Sequence, residues 1–254
     1  QAVMRRTRSL VRACLAVALV AAAAPVFAAH PLLTEDPGTL GTGHVQVELG
    51  LAAGTADPAT GGNAALFSPQ LSIGATPTLD LILQGVWTRQ TQAGVPTLFG
   101  GGDVLADVKW RFLESDDVAW GVRAGLDLPT GDPDSGLGNG AVGAHVIAIV
   151  GVTRDAWSLY ANAGYARARG SAARSNLGAF SVALMRTDTA PWQTFVELAT
   201  YSNPDPDNRR WPAIARTGFI YSVAEWLDLD VGFQARLNPA APRAVVLAGM
   251  TFRW

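Results

Sequence analysis

The feature that most limits what this chain can become is a two-residue alternation that recurs from His44 to the last residue. It is clearest over Asp103–Phe112. There Val104, Ala106, Val108, Trp110 and Phe112 form one row, and Asp103, Leu105, Asp107, Lys109 and Arg111 form the other. A period of two puts the two rows on opposite faces of a β-strand, and the charges gather on one face. The rhythm returns over His44–Leu51, Ala64–Gly74, Leu79–Thr88, Trp120–Leu128, Trp157–Ala166, Leu177–Arg186, Trp192–Tyr201, Trp211–Ser222, Trp226–Leu237 and Arg243–Trp254. It is weaker over Ala141–Val152, where Ile147 and Ile149 share the row of His145. The count is about twelve strands of roughly ten residues, an even number within the range of bacterial barrels.

The last strand ends the sequence and so presents an edge, which a chain must cover or pair. Pairing Arg243–Trp254 with His44–Leu51 closes the sheet and removes the edge. The connections alternate in length. Gly-, Asn-, Asp- and Pro-rich stretches such as TGDPDSGLGNG at Thr130 and SNPDPDN at Ser202 are long, and those at Ala75, Glu114, Arg154, Asp188 and Val223 are short. Long outer loops and short periplasmic turns mark an outer-membrane barrel, whereas a β-sandwich needs no such rhythm. The expected fold is therefore all-β, a closed antiparallel transmembrane β-barrel of about twelve strands in an up-and-down meander.

The start of the chain reads as an export signal. Arg5, Arg6, Arg8 and Arg12 precede an apolar run from Ala13 to Val20 that continues through alanines to Phe27, and Val26-Phe27-Ala28 has the small-x-small form of a cleavage site. That divides the chain into residues 1–28 as signal peptide with upstream residues, 29–42 as a turn-rich periplasmic or lumenal segment, and 43–254 as the barrel. The apolar run is shorter than the ~20 residues a spanning helix needs. The single cysteine, Cys14, lies in the signal, so the mature chain has no thiol, disulfide or thiolate metal site, and no cofactor or metal is expected. Of 19 basic and 21 acidic residues, the signal removes four arginines and no acids, which leaves 15 − 21 = −6. An exported acidic chain is not a nucleic-acid binder by charge. The expected location is the outer membrane of a Gram-negative bacterium.

With the apolar rows toward lipid, the polar rows line the lumen, because a charge facing lipid at mid-depth costs about 2–4 kcal/mol. The pore-lining set is then Glu48, Asp80, Asp103, Asp107, Lys109, Arg111, Arg123, Asp127, Glu197, Arg216, Asp228, Asp230, Arg236 and Arg253; Arg243 falls on the same side. Trp110, Trp120, Trp157, Trp192, Trp226 and Trp254 all lie near short turns or the C-terminus, as an interfacial belt would, with Trp87 and Trp211 near the opposite ends. Phe252 and Trp254 resemble the aromatic signal read by the barrel-assembly machinery. The mixed lumenal charges fit a solute-selecting pore. They also fit a salt-bridged, occluded barrel without transport. A third reading, an outer-membrane lipid hydrolase, lacks GxSxG and HExxH, and His145 has no serine at a recognisable spacing. The chain thus reads as a non-enzyme whose partners are outer-membrane lipid, the assembly machinery and a small-molecule solute; oligomeric state is not encoded in these patterns.

HPLLTEDPGTLGTGHVQVELG from His30, GGGDVLADVKWRFLE from Gly100, LPTGDPDSGLGNG from Leu128 and WLDLDVGFQARLN from Trp226, in that order, resemble the MetA-pathway of phenol degradation family of outer-membrane proteins. That resemblance implies a transporter-like barrel tied to uptake of aromatic or other hydrophobic compounds, and it brings no catalytic residue.

Overall fold

A computed structural model describes residues 30–55, 62–168 and 175–254, without the side chains of 188 and 189. The proposed signal peptide and Cys14 lie outside the described residues. The strand segments are β1 (Val45–Thr55), β2 (Asn63–Thr76), β3 (Leu79–Gln84), β4 (Trp87–Gln92), β5 (Val95–Gly101), β6 (Val104–Glu114), β7 (Val118–Leu128), β8 (Gly143–Arg154), β9 (Trp157–Arg167), β10 (Asn176–Thr189), β11 (Trp192–Tyr201), β12 (Ala213–Ala224), β13 (Leu227–Arg236) and β14 (Ala244–Arg253). β3 and β4 are two halves of one wall strand, because β2 pairs with both; β5 and β6 are the halves of the next, pairing with β4 and β3. The wall is thus a closed antiparallel barrel of 12 strands. Its seam is β1 against β14, from Gln46↔Arg253 to Gly54↔Val245. The terminal strand closes the sheet as its pattern requires.

Alternation sets the two surfaces. In β8, Gly143, His145, Ile147, Ile149 and Gly151 are buried while Ala144, Val146 and Ala148 are exposed. Leu83, Val108, Leu184, Val196 and Phe233 belong to an exposed apolar outer surface. In water that surface would be untenable; against lipid it is the stable solution, since the closed ladder satisfies the backbone.

Arg89–Gly102, which lies between the strands expected at Leu79–Thr88 and Asp103–Phe112, is not an open loop. Most of it is the β4–β5 hairpin, closed by Ala93-Gly94 with Gly94 at φ 76°. Pro96 and the glycines hide the alternation there. Between the pairs Gln84↔Leu105 and Trp87↔Gly101, two residues face three, a bulge that interrupts both wall strands at Gly85 and Gly102.

Candidate functional site

Residues 30–44 do not hang below the barrel. They run round its inner wall. Followed backward from Leu40, the segment touches the wall strands in order. The Leu40 amide donates to Asp80 on β3 at 3.1 Å. Lys109 on β6 lies 3.4 Å from Glu35 and 3.8 Å from Asp36. Glu35 pairs with Arg123 on β7. The Glu35 amide donates to Asn162 Oδ1 on β9 at 2.6 Å, and Asn162 Nδ2 donates back to the Glu35 carbonyl at 3.0 Å. Glu197 on β11 accepts from the Leu33 amide at 2.8 Å and from the Thr34 amide and hydroxyl, each at 2.6 Å. Arg216 on β12 donates to the Pro31 carbonyl at 3.1 Å. His30 Nδ1 lies 2.7 Å from Asp230 on β13, and the His30 amide donates to Glu48 on β1 at 3.2 Å. The circuit returns to the seam.

The segment has no periodicity because its polar backbone, not a hydrophobic face, is what the wall binds. Buried N–H groups need acceptors. Here the acceptors, Asn162 apart, are carboxylates, whose charge roughly doubles the strength of each bond. Close approach also requires glycine in the wall. A Cβ at Gly50 would lie 2.5 Å from the His30 ring, and one at Gly249 would collide with His30 Nδ1. Pro37 rests on Gly151, where a Cβ would meet its ring at 2.8 Å.

The charged heart of the site is compact. Arg123, fully buried, donates through Nε to Asp107 at 2.6 Å, through a terminal nitrogen to Gln84 at 3.0 Å, and through the other to Glu35. His145 lies 3.0 Å from Asp107 and 2.8 Å from Asp127. Burial works against a charged Glu35, but Arg123 and Lys109 outweigh it and hold its carboxyl below the ordinary glutamate value.

Beside this cluster the lumen is apolar. Ile147 and Ile149 on β8, Phe195 on β11, Ile214 on β12 and Leu247 on β14 are all almost fully buried inside the barrel. Leu32 packs with Ala183, Met185 and Phe195, and Leu33 packs against Ala199, Ile214 and Ala241. Arg123 is paired directly with Ile147 across the β7–β8 ladder, so charge and apolar surface are immediate neighbours. Two cavities of about 230 and 200 Å³ border the segment and share Asp36, Gln46 and Glu48 in their walls.

The residues expected in the lumen divide by depth. Glu48, Asp80, Asp103, Asp107, Lys109, Arg123, Glu197, Asp228 and Asp230 are buried on the inner face. Asp127, Arg111, Arg216 and Arg253 are partly exposed. Arg253 binds Asp228 at 2.6 Å, and Arg111 binds Glu114 at 3.3 Å near a short turn. Arg236 and Arg243 are exposed at the long-loop end of β13 and β14. Asp103 belongs to a loop: it accepts from the amides of Gly131 at 3.0 Å and Asn139 at 2.8 Å, and so ties down the connection between β7 and β8. Trp110, Trp120, Trp157, Trp192, Trp226 and Trp254 are all exposed on the outer surface. Trp192 packs on Tyr221 at 4.5 Å and Phe252 on Trp254 at 6.1 Å. The sequence reading left the segment of His30, Leu32, Leu33 and Glu35 as periplasmic or lumenal without singling out these residues, and it missed the apolar strip. The misfit of Ile147 and Ile149 in a polar row was the available signal for the strip.

Solved structures share this fold. The COG4313 outer membrane channel from Pseudomonas putida F1 is similar with a TM-score of 0.67 at 13% identity, covering 86% of this chain and 98% of that one. The NanC porin is similar at a TM-score of 0.57 and 10% identity, covering 82% of this chain and 98% of that one. The KdgM porin follows at 0.55 and 7%, with the same coverage of 82% and 98%. No curated protein matches the sequence. The family described as "Putative MetA-pathway of phenol degradation" matches residues 29–254, and the chain belongs to that family.

Proposed function

We propose that this barrel is an outer-membrane channel for small solutes, apolar or aromatic ones among them, gated by its own N-terminal segment. The observation that carries the reading is what narrows the lumen. It is a segment of chain lying in the bore, held there by wall side chains and bordered by two cavities. An occluded structural barrel has no need of a separate piece of chain in its bore. The buried apolar strip favours solutes with a hydrophobic part, since a water-filled pore gains nothing from Phe195, Ile147 and Ile214. In this reading the chain is exported by a cleaved signal and inserted by the assembly machinery, the tryptophans near the short turns sit at the inner membrane–water interface, and no catalysis is involved. His145, the one residue considered as a catalytic base, is engaged with Asp107 and Asp127.

The test is conductance in a planar bilayer with full-length mature protein and a variant lacking residues 30–40. The channel reading expects the deletion to raise conductance severalfold with the barrel still folded. A folded deletion variant that conducts no more than an empty bilayer overturns it in favour of a structural barrel.

A further inference from the structure

Resting on that channel reading, we infer that Leu33 and Glu35 occupy a binding site for an apolar monocarboxylate, such as a small aromatic acid, and that such a solute opens the channel by taking their place.

The argument starts from charge. Arg123 and Lys109 bring two positive charges to the same buried spot. Asp107 supplies one negative charge from the wall, at 2.6 Å from Arg123. The second comes from the segment, where Glu35 meets both Arg123 and Lys109. If the segment leaves, Arg123 keeps Asp107, but Lys109 loses Glu35 and Asp36, the two carboxylates that pair with it, and the nearest acids left are Glu48 and Asp80 in the wall of the same cavity. An uncompensated buried charge is costly. The open state therefore favours an anion between Arg123 and Lys109, in the place Glu35 holds when the segment is seated. A carboxylate fits best, since the guanidinium fork matches its two oxygens.

The second half of the solute follows from the neighbours. Arg123 is cross-strand partner to Ile147, and Gly121 to Ile149. Leu33 covers this apolar patch and borders a small void of about 30 Å³ lined by Ile147, Gly164, Ala179 and Ala199. The small wall residues leave room for a group flatter and broader than a leucine. Leu33 also packs on Ile214 and Ala199, so its departure exposes a continuous apolar surface next to the vacated cation. One molecule with a carboxylate at one end and a ring at the other satisfies both surfaces together. A simple inorganic anion satisfies only the first, and a neutral aromatic only the second. The segment is thus an internal stand-in for the solute, and opening is an exchange of one carboxylate for another.

The experiment uses the mature chain, which has no native cysteine if the signal ends at Ala28. Thr34→Cys places a thiol beside Glu197, buried while the segment is seated. Its labelling rate by a maleimide in liposomes reports release. The probes are benzoate, benzyl alcohol, benzylamine and acetate. Benzoate is expected to speed labelling at a concentration about tenfold or more below that required of the other three, the factor a charge-assisted bond or a buried ring provides. A Glu35→Gln variant frees the cations, so its benzoate affinity, read directly by titration, should rise about tenfold over wild type. Equal action of benzoate and benzyl alcohol removes the carboxylate half, equal action of benzoate and acetate removes the apolar half, and unchanged affinity in Glu35→Gln removes the exchange. These readouts need no ion flow. A barrel that never conducts but releases its segment to benzoate refutes the channel and keeps the site; one that conducts after deletion but ignores benzoate does the reverse.

Discussion

Glu197→Gln is the most informative single change for the gate. The Glu197 side chain is fully buried, and one of its oxygens, Oε1, accepts from the Leu33 amide at 2.8 Å and from the Thr34 amide and hydroxyl at 2.6 Å. Glutamine keeps the shape and one acceptor oxygen but loses the charge. A hydrogen bond to a charged group contributes about 1.5–3 kcal/mol and a neutral one about 0.5–1.5, so each of the three weakens by about 1 kcal/mol. The other carboxylate oxygen also takes a second contact from the Leu33 amide at 3.0 Å, which an amide NH₂ cannot accept. The total, about 3 kcal/mol, multiplies the population of the released segment by roughly 100. The wall should survive, because Glu197 is held in the β11–β12 ladder by backbone pairing with Arg216 and their side chains approach only to 3.9 Å. The assay is open probability in a planar bilayer, with thermal unfolding followed in parallel. A rise in open probability with little change in unfolding temperature supports the gate. An open probability equal to that of wild type in a folded protein refutes the claim that Glu197 holds the segment.

Glu35 adds a pH dependence. Its carboxyl titrates below the ordinary value of 4.5 in the seated state, so its hold on the segment is complete above that value and is lost as pH falls through the lowered one. Conductance should step up on acidification below about pH 4.5, and the step attributable to Glu35 should vanish in Glu35→Gln. On the outer surface, Leu83 is 50% exposed, and Leu83→Arg should destabilise the barrel by about 2–4 kcal/mol in denaturant unfolding from bilayers. A cost near zero would place Leu83 away from lipid. Removal of Phe252–Trp254 deletes the Val47↔Phe252 and Gln46↔Arg253 pairs at the seam and should leave little protein in the outer-membrane fraction; normal levels there would argue against an assembly role for these residues.

The wall was legible because each strand repeats a local rule. Faces follow from parity, and parity assigned Glu48, Asp107, Arg123 and Glu197 to the interior. Depth does not follow from parity, which is why Arg236 and Arg243 were grouped with residues at the centre although they emerge at the rim. The β4–β5 hairpin was missed because Thr88 and Gln90, buried inside, face a partner strand in which Pro96 and glycines supply no contrast. The segment at residues 30–44 was hardest to read. Its partners lie far along the chain: Thr34 and Glu197 are 163 residues apart, His30 and Asp230 200. The donors on its side are largely backbone amides, which every sequence carries.

The lumen holds charges of both signs, which suits a selective pore and a salt-bridged filler equally well as sequence. The bonding pattern is what supports the proposed pore. In a filler, wall carboxylates neutralise wall cations, as Asp228 does Arg253 and Asp107 does Arg123. Four other carboxylates reach the segment, although Glu48 also accepts from Gln46 and Gln70 and Glu197 lies 3.9 Å from Arg216. Asp80, Glu197 and Glu48 accept its amides, and Asp230 faces the His30 ring. Arg123 divides its charge between Asp107 of the wall and Glu35, and Lys109 faces Glu35 and Asp36 of the segment. A wall built to be inert would pair these groups with one another, since a buried carboxylate served only by neutral amides gains less than one facing a cation. Arranged as they are, they bind the segment at many points, each individually modest. Withdrawal of the segment leaves acids on β1, β3, β11 and β13 and a cationic spot on β6 and β7. Under the proposed function, closure and solute selection would rest on the same side chains, and a mutation that loosens the one is expected to change the other.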